Sequence, residues 1–292
     1  MSTCILCGID DSAGARRAAS VASRLARDLG AHALLVHVID GPRAFPHGLR
    51  PLRPGRNLRL RKKLKLVAEQ ECFPKGTNLR LEAGDPVTKL IAVAEAEDAE
   101  LIVVAARRLG RGGAALIGGV ASALLRSAPC PVVVVPPTSI APLDAASMRD
   151  VVCGVEGDGS ERDPAVLSLA ADLAGRLGGE LHAVHGYDPA ALPASAPGPQ
   201  RKLNDVLQES GVDARGSVLP LAAAEALERV AVEQRAGLIV VGAHGAGTAD
   251  SALLGPVPIQ LAAEGSTALL VLPREAALKA GSGHYELAAS PA

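Results

Sequence analysis

Aromatic residues are almost absent from this chain. Its 292 residues include two Tyr, two Phe and no Trp, so that aromatics make up 1% of the sequence. Proteins that bind single-stranded nucleic acid stack the bases on aromatic rings, and this composition argues against that class of function. Because 48% of the residues are hydrophobic, a sizeable core can still form, but it must be built from Ala, Val, Leu and Ile.

The chain also lacks net charge and long apolar runs. Its 30 basic residues are matched by 31 acidic ones, and the formal net charge of −1 creates no overall field that would attract nucleic acid or a membrane. No uninterrupted apolar run approaches the roughly 18 residues of a membrane-spanning helix, and no secretory signal opens the chain. We therefore expect a cytoplasmic protein with no membrane partner.

The cysteines form an odd and scattered set: Cys4, Cys7, Cys72, Cys130 and Cys153. Four of them lie in or beside apolar strand-like runs, which predicts buried free thiols in a reducing compartment. Cys4-x-x-Cys7 has the spacing of a redox or metal motif. It lies within a predicted strand, however, where residues three apart point to opposite faces. We therefore predict no redox centre and no metal site.

Motifs of the common hydrolases and nucleoside triphosphatases are missing. The sequence has no Gly-x-Ser-x-Gly, no His-Glu-x-x-His and no Walker Gly-Lys-[Ser/Thr]. His244, in a glycine-rich loop, would suit acid–base chemistry beside a phosphate, but no nucleophile or orienting carboxylate stands at a defined spacing from it. We predict no catalytic residue and a protein that is not an enzyme.

The chain does contain an internal repeat. Leu101-Ile-Val-Val104 recurs 137 residues later as Leu238-Ile-Val-Val241, whereas the openings of the two repeats, at Gly8 and Gly154, lie 146 residues apart. The first repeat therefore carries extra residues in its middle.

Each repeat alternates strand-like and helical patterns. In the first repeat we expect strands near 3–9, 32–39, 78–83, 100–105 and 131–136, and helices near 14–29, 58–71, 86–97 and 118–127. Gly30 marks a helix end, and Asp85-Pro86 supplies an N-cap and a first-turn proline. Apolar strands separated by helix-length segments predict a parallel sheet covered on both faces. We expect two domains, 1–137 and 149–275.

The extra residues of the first repeat form a segment from Gly41 to Ala68 that has no acidic residue. Its cations are Arg43, Arg50, Arg53, Arg56, Arg59, Arg61, Lys62, Lys63 and Lys65. Such a segment would suit a phosphate-rich partner. The interpretation we favour is a proline-containing loop that leads into a solvated helix face, because no aromatic or readout motif accompanies the charge. We expect no nucleic-acid partner.

The second repeat contains a strand followed by glycines and a helix start. The glycines Gly242, Gly245 and Gly255 follow the apolar run 238–241. A helix N-terminus offers unpaired N–H groups and the positive end of its dipole, and glycines let a ligand approach the backbone, so the pattern predicts an anion site. Pro256 has no N–H, which weakens the site where a phosphate would bind.

The order of these pieces, found twice, resembles the universal stress protein family in its tandem form. The pieces are Gly8-Ile-Asp-Asp-Ser12, Gly154-Val-Glu-Gly157, Gly84-Asp85-Pro86, Gly242-x-x-Gly245-x9-Gly255 and Ala128-Pro-Cys-Pro-Val-Val-Val-Val-Pro136. The resemblance implies an α/β fold with two doubly wound, five-stranded parallel-sheet domains of the adenine nucleotide alpha hydrolase-like type. Each domain would have strand order 3-2-1-4-5, and the last strands would pair, so that the chain forms a pseudo-dimer.

The resemblance further implies a nucleotide site where the strand order reverses. For the second domain it places the ligand among Val155, Glu156, His185, Gly242, His244, Gly245, Gly255 and Val257. The nucleotide-binding branch of the family has Asp where this chain has Glu156, and Ser or Thr where it has Pro256. Each lost charge-assisted hydrogen bond costs about 1.5–3 kcal/mol. We expect weak or altered binding of ATP or a smaller adenine nucleotide.

The first domain keeps the acid, Asp10, and one of the three loop glycines, Gly118. Arg108 stands where the second repeat has its middle glycine. It either fills the site sterically or, together with Arg107 and Arg111, binds a phosphate itself. The whole chain is therefore expected to be a stress-response protein that acts by binding. The alternative is a scaffold or interaction protein of the same fold that binds no nucleotide, and either protein could associate further with itself.

Overall fold

The computed structural model describes residues 3–10, 12–39, 54–107, 117–139, 149–156, 162–191, 198–243, 254–274 and 276. Arg108, Arg111, His244 and Gly245 lie outside the described residues. So do the first part of the basic segment and most of the residues between the two predicted domains, 138–148.

Strands and helices alternate in each half of the described chain. The first half contains β1 (Cys4–Gly8), α1 (Ala13–Asp28), β2 (His32–Ile39), α2 (Pro54–Gln70), β3 (Asn78–Ala83), α3 (Pro86–Ala96), β4 (Ala99–Ala105), α4 (Gly119–Ser127) and β5 (Val132–Val135). The second contains β6 (Val151–Gly154), α5 (Arg162–Leu177), β7 (Leu181–Gly186), a 3-10 turn (Pro189–Ala191), α6 (Pro199–Ser210), β8 (Arg215–Leu219), α7 (Ala223–Glu233), β9 (Leu238–Gly242), α8 (Pro256–Glu264) and β10 (Ala268–Leu272). Every predicted element of the first repeat is present. Only α2 begins clearly earlier, at Pro54, which suits the first turn of a helix.

All ten strands form one sheet, in the order β3-β2-β1-β4-β5-β10-β9-β6-β7-β8. Each half has the predicted order 3-2-1-4-5 and is parallel throughout. The halves join where β5 and β10 pair in antiparallel fashion, with Val133 opposite Leu270. This confirms the pseudo-dimer, and it means that the carboxyl ends of the strands point to opposite edges of the sheet in the two halves.

Helices cover both faces of the sheet. Buried side chains of α1, α2, α5 and α6 form the core on one face, and those of α3, α4, α7 and α8 form the core on the other. Both cores run across the β5–β10 junction, because Val133 and Leu270 belong to one and Val134 and Leu269 to the other. No helix in the described part of the chain is long and apolar enough to cross a membrane.

The predicted helix ends are confirmed. Gly30 follows α1 with a φ of 63°, in the left-handed region that favours glycine. Asp85 caps α3 by accepting a hydrogen bond from the Thr88 N–H at 2.9 Å, and Pro86 occupies the first turn. Ala222, at the equivalent position before α7, makes no side-chain cap bond. The two halves therefore share a backbone but not the interactions that start this helix.

The two cysteines of the Cys4-x-x-Cys7 motif lie in different cores, on opposite faces of the sheet, as predicted. Burial raises the pKa of Cys4 to about 11 and raises the pKa of Cys7 and Cys153 as well. Since the thiolate is the reactive form, these thiols are poor nucleophiles. Cys72 is the exposed one among the five.

A buried ion pair ties the two halves together. Arg176 on α5 donates a hydrogen bond to Glu100 on β4, with 2.8 Å between Nη1 and Oε1, and the Glu100 side chain is 5% exposed. Asp172 lies 3.6 Å from the same Arg176 nitrogen. Where the first half has Glu100, the second has Gly237, so the tie is not repeated by the pseudo-symmetry.

Candidate ligand-binding sites

Each half has a cavity beside the carboxyl ends of its first and fourth strands, where the strand order reverses. The first cavity measures about 380 Å³ and the second about 280 Å³. The described lining of the first is Gly8, Ile9, Asp10, Ala15, Val36, Val38, Pro86, Leu90, Val104, Ala105, Arg107, Gly118, Gly119, Val120 and Ala121. That of the second is Gly154, Val155, Glu156, Asp163, Val166, Val184, His185, Gly186, Ala223, Leu227, Val241, Gly242, Gly255, Pro256, Val257 and Pro258.

A histidine on the second strand of each half makes the same contact. The Nδ1 atom of His37 lies 2.9 Å from the Ile9 carbonyl oxygen, and the Nδ1 atom of His185 lies 2.9 Å from that of Val155. A carbonyl oxygen can only accept, so Nδ1 carries the hydrogen of this bond in each ring. These bonds hold the backbone just before Asp10 in one half and Glu156 in the other.

The glycines that end β1 and β6 are equivalent in their packing. A Cβ atom on Gly8 would lie 3.1 Å from Val104, and one on Gly154 would lie 3.1 Å from Val241. Larger residues would push the first strand away from the fourth, so glycine keeps the floor of each cavity closed.

An ion pair lies at the mouth of the first cavity. The Arg107 Nη2 atom is 2.6 Å from Oδ2 of Asp10, and the side chains are 60% and 50% exposed. Oδ1 of Asp10 also accepts from the Ser12 N–H at 2.8 Å. The acid that the family resemblance assigns to a ligand is thus already paired, and the arginine that meets it comes directly before Arg108.

Backbone donors remain at the start of α4. The Gly118 N–H donates to the Arg107 carbonyl oxygen at 2.8 Å, and Gly119 supplies an N–H at the first position of the helix. A Cβ atom on Gly119 would meet nothing within 4 Å. The first cavity therefore combines an arginine with a helix N-terminus that no side chain of the described residues obstructs.

At its opening the second cavity has two carboxylates where the first has an ion pair. Asp163, which is 5% exposed, accepts a hydrogen bond from the Glu156 N–H at 3.1 Å through Oδ1. It lies in the first turn of α5, and its charge adds to the effect of burial in raising the pKa of Cys153. The described lining contains these two carboxylates and no lysine or arginine.

Prolines remove donors at the start of α8. The Gly255 N–H donates to the Ala243 carbonyl oxygen at 2.9 Å, while Pro256 and Pro258, in the first turn, have no N–H. The end of this helix that faces the cavity can thus offer fewer hydrogen bonds to a phosphate than the start of α4.

Two differences between the halves agree with the smaller volume of the second cavity. Val38 lines the first cavity at the end of β2, where the second half has Gly186 at the end of β7. A Cβ atom on Gly186 would lie 2.8 Å from the Ala223 Cα atom, so α7 begins in the space that a side chain would need. The smaller second cavity is consistent with this closer helix.

The structure brings most of the predicted site residues together. Val155, Glu156, His185, Gly242, Gly255 and Val257 line the second cavity, and Asp10 and Gly118 line the first. His244, Gly245 and Arg108 lie outside the described residues. Asp163 was missed, although Asp163-Pro164 has the form of the recognised helix start Asp85-Pro86. No group of three or more His, Cys, Asp or Glu in the described ranges could hold a metal ion.

Comparisons with known proteins give the family. The sequence profile of the universal stress protein family matches residues 1–136 and again 148–273. A universal stress protein of Mycolicibacterium smegmatis is 28% identical over 286 residues, which is 92% of this chain and 96% of that protein. One from Mycobacterium tuberculosis is 30% identical over 183 residues, which is 59% of this chain and 60% of that relative's length.

Solved structures agree on the fold. A universal stress protein from Archaeoglobus fulgidus superposes with a TM-score of 0.65 at 19% identity, over 94% of this chain and 99% of that one. With two profile matches, one in each half of a single ten-stranded sheet, the chain belongs to the universal stress protein family and is a tandem member of it.

Proposed function

We propose that this chain is a stress-response protein that acts by binding, and that its second cavity binds an adenine nucleotide weakly. The observation that carries the proposal is the wall of this cavity. Val184, Leu227 and Val241 offer apolar surface for a flat base, and Gly242 lets the ligand approach the backbone. Glu156, at the mouth, can accept hydrogen bonds from ribose hydroxyls.

The same cavity suits the nucleoside better than the phosphates. Pro256 and Pro258 offer no N–H, and Glu156 and Asp163 place two carboxylates in the described lining, where they would repel a polyphosphate. We therefore expect affinity to fall in the order adenosine or AMP, ADP, ATP when no divalent cation is present.

Calorimetric titration of the intact chain with adenosine, AMP, ADP and ATP tests this proposal. Val257 and Val120 are equivalent half-buried residues that line the second and first cavities, which makes a matched pair of variants. Val257→Arg should abolish binding by filling the second cavity, whereas Val120→Arg should leave it unchanged. Both variants should keep the circular dichroism spectrum of the parent chain.

The alternative is a scaffold or interaction protein that binds no nucleotide. It predicts no heat and no thermal stabilisation by any of the four compounds at millimolar concentration, and that result would sink our proposal. If ATP were bound more tightly than AMP without a divalent cation, nucleotide binding would stand but our view of the second cavity would be wrong.

A second candidate function is anion binding in the first cavity. Exposed ion pairs contribute only about 0–1 kcal/mol, so Arg107 can leave Asp10 for a phosphate at little cost. Gly119 supplies a backbone donor nearby. Inorganic phosphate should then bind with an affinity that Arg107→Ala reduces about tenfold, the effect of one lost charge-assisted bond. If phosphate does not bind, the steric interpretation of this arginine-rich loop stands.

We also propose a cytoplasmic location and a role without turnover. Cys4, Cys7, Cys130 and Cys153 are buried, and no disulfide joins any of the five cysteines, as suits a reducing compartment. The cavities contain no described nucleophile activated by a neighbouring base. Fractionation of cells and a nucleotide hydrolysis assay test the two statements directly.

A further inference from the structure

Large apolar side chains are well buried in this protein, with few exceptions. Among the described residues the exposed ones are Leu58 (57% exposed), Leu66 (50%) and Val232 (60%). Two of them lie on α2 and the third on α7. A single exposed leucine needs no explanation. These three, however, fall on two surfaces of strong and opposite charge.

The first surface is the outer side of α2, which we call the basic stripe. Leu58, Lys62 and Leu66 are each four residues apart, and Lys65 lies three residues after Lys62, so the four side chains share one side of the helix. The leucines are two turns apart, about 12 Å along the axis. Leu64 and Val67 attach the opposite side of α2 to the core.

Further cations border the basic stripe. Arg59 and Arg61 are exposed, and the ion pair between Lys65 and Glu69 on this surface is long, with 3.9 Å between Nζ and Oε1. The structurally equivalent helix α6 has a different surface, in which Arg201 lies 3.8 Å from Asp205. The stripe is therefore a property of the first half and not of the family fold.

The second surface is a groove between α7 and α8, which we call the acidic groove. It measures about 500 Å³ and is lined by Val232 and Leu261 together with four glutamates. The glutamates are Glu225, Glu228, Glu233 and Glu264, and Arg229 is the one cation in the described lining. Oε2 of Glu228 is buried and has no hydrogen-bond partner within the described structure.

The two surfaces cannot meet within one molecule. Helix α2 belongs to the core on one face of the sheet, and α7 and α8 belong to the core on the other. We propose that the basic stripe of one copy of this chain docks into the acidic groove of a second copy. Leu58 and Leu66 would cover Val232, and the lysines and arginines would face the glutamates.

Such a contact joins two different patches, so it is heterologous, and the resulting pair of copies keeps one free stripe and one free groove. Association can therefore continue beyond a dimer, to a ring or a chain of copies. Because most of the charged groups are exposed, the contact should weaken with salt, whose screening length is about 10 Å at 0.1 M. The near-neutral net charge of −1 permits this, since no overall repulsion keeps copies apart.

Sedimentation velocity of the full chain tests the proposal. The parent should show species larger than one chain at low salt, and raising the salt to about 0.5 M should reduce their fraction at least about tenfold. A stripe variant, Leu58→Ser with Lys62→Glu, and a groove variant, Val232→Ser with Glu233→Lys, should each be a single chain. All substituted residues are exposed, so both variants should fold, which circular dichroism checks.

Mixing the two variants gives the decisive result. The stripe variant keeps an intact groove and the groove variant keeps an intact stripe, so the mixture should form a dimer and nothing larger.

As a matched control, Arg201→Glu with Arg215→Glu alters exposed charge on the second half and should leave the parent's association unchanged. A parent that stays a single chain at low salt overturns the proposal, as does a mixture that forms no dimer. Binding of the stripe to anionic vesicles or to nucleic acid in place of a second copy would also overturn it.

Discussion

The two cavities have the same backbone contacts at the strand ends that form their floors, but different charged side chains at their openings. In both halves a histidine Nδ1 atom holds the carbonyl that precedes the acid, at 2.9 Å, and a glycine closes the floor against the fourth strand. At the mouth, one half has Asp10 paired with Arg107, while the other has Glu156 beside the buried Asp163. The parts set by strand packing are the same, whereas the charges that would meet a ligand differ: a carboxylate and an arginine in the first half, and two carboxylates in the second.

This comparison shows how one fold can give two cavities with different ligand preferences. The helix that begins at each cavity has the same dipole, yet Gly119 leaves its donors open and Pro256 removes one. An arginine adds to the helix dipole in the first half, and two carboxylates oppose it in the second. On the proposed function, we expect the first half to favour a nucleotide's phosphates and the second half to favour its nucleoside.

The largest effect should come from breaking the tie between the halves. Arg176→Met leaves Glu100 buried without its cation, which should lower the free energy of unfolding by about 3–5 kcal/mol. Adding Glu100→Gln should recover most of this loss, because no charge is then left buried. Urea unfolding measures both changes, and a single variant as stable as its parent would show that the pair contributes nothing.

The same pair gives a pH dependence. Burial raises the pKa of Glu100 above its usual 4.5, while the hydrogen bond from Arg176 lowers it. A carboxyl whose pKa is higher in the folded state stabilises the fold fully below its unfolded pKa and loses that contribution as the pH rises through the folded pKa. The loss in Arg176→Met should therefore be greatest near neutral pH and shrink towards pH 4.5. A loss that does not change over this range would contradict the assignment.

The next effect concerns the difference between Val38 and Gly186. Gly186→Val makes the second half resemble the first, but its Cβ atom would lie 2.8 Å from the Ala223 backbone. Overpacking of this kind should lower the free energy of unfolding by about 1–3 kcal/mol. The reverse exchange, Val38→Gly, removes a half-buried side chain and serves as the control. If Gly186→Val were neutral, α7 would not be held as closely as the structure shows.

Replacing the proline at the first residue of α8 should strengthen the binding of phosphates in the second cavity. Pro256→Ser restores an N–H and adds a hydroxyl, so ADP should bind the second cavity about tenfold more tightly, the equivalent of one 1.4 kcal/mol contact. Adenosine should gain much less, because it has no phosphate to meet the restored N–H and the added hydroxyl. Gly119→Ser, at the equivalent position of α4, is the control for a general effect of serine. Equal gains for adenosine and ADP would show that Pro256 is not the defect.

The smallest effect should come from the mouth of the first cavity. Asp10→Asn breaks an exposed ion pair with Arg107 and should change the free energy of unfolding by less than about 1 kcal/mol. If the first cavity binds phosphate, the same variant should bind it more tightly, because Arg107 loses its competitor. Chemical denaturation and phosphate titration measure the two quantities, and a large loss of stability would mean that the pair has a structural role.

Most of the fold could be predicted from the sequence, because its signals are local. The helix end at Gly30, the cap at Asp85 and the continuous apolar strands each follow from backbone geometry or periodicity. The repeat, together with the family resemblance, then implied the pairing of the last strands. Pro54 was assigned to the proline-containing loop before α2, because a proline fits a loop as well as the first turn of a helix.

The candidate site was predictable only in part. Equivalent positions in the repeat indicated Glu156, His185 and Gly255, since strand ends and glycines keep their places. Contacts between side chains on different elements gave no such signal. The pairing of Arg107 with Asp10 joins residues 97 positions apart, and the bond from Glu156 to Asp163 depends on where α5 begins.

The pairing of β5 with β10 also decides which strands remain at the borders of the sheet. Joining the two halves leaves β3 and β8 as the outer strands, and both carry charge: Arg80 is 2.7 Å from Glu82, and Arg215 is 2.8 Å from Glu180. Charged side chains on outer strands discourage a further strand from adding to the sheet. The tandem arrangement thus covers β5 and β10, which are apolar and buried along their whole length. Copies of this chain are therefore expected to meet through helices and not through their sheets.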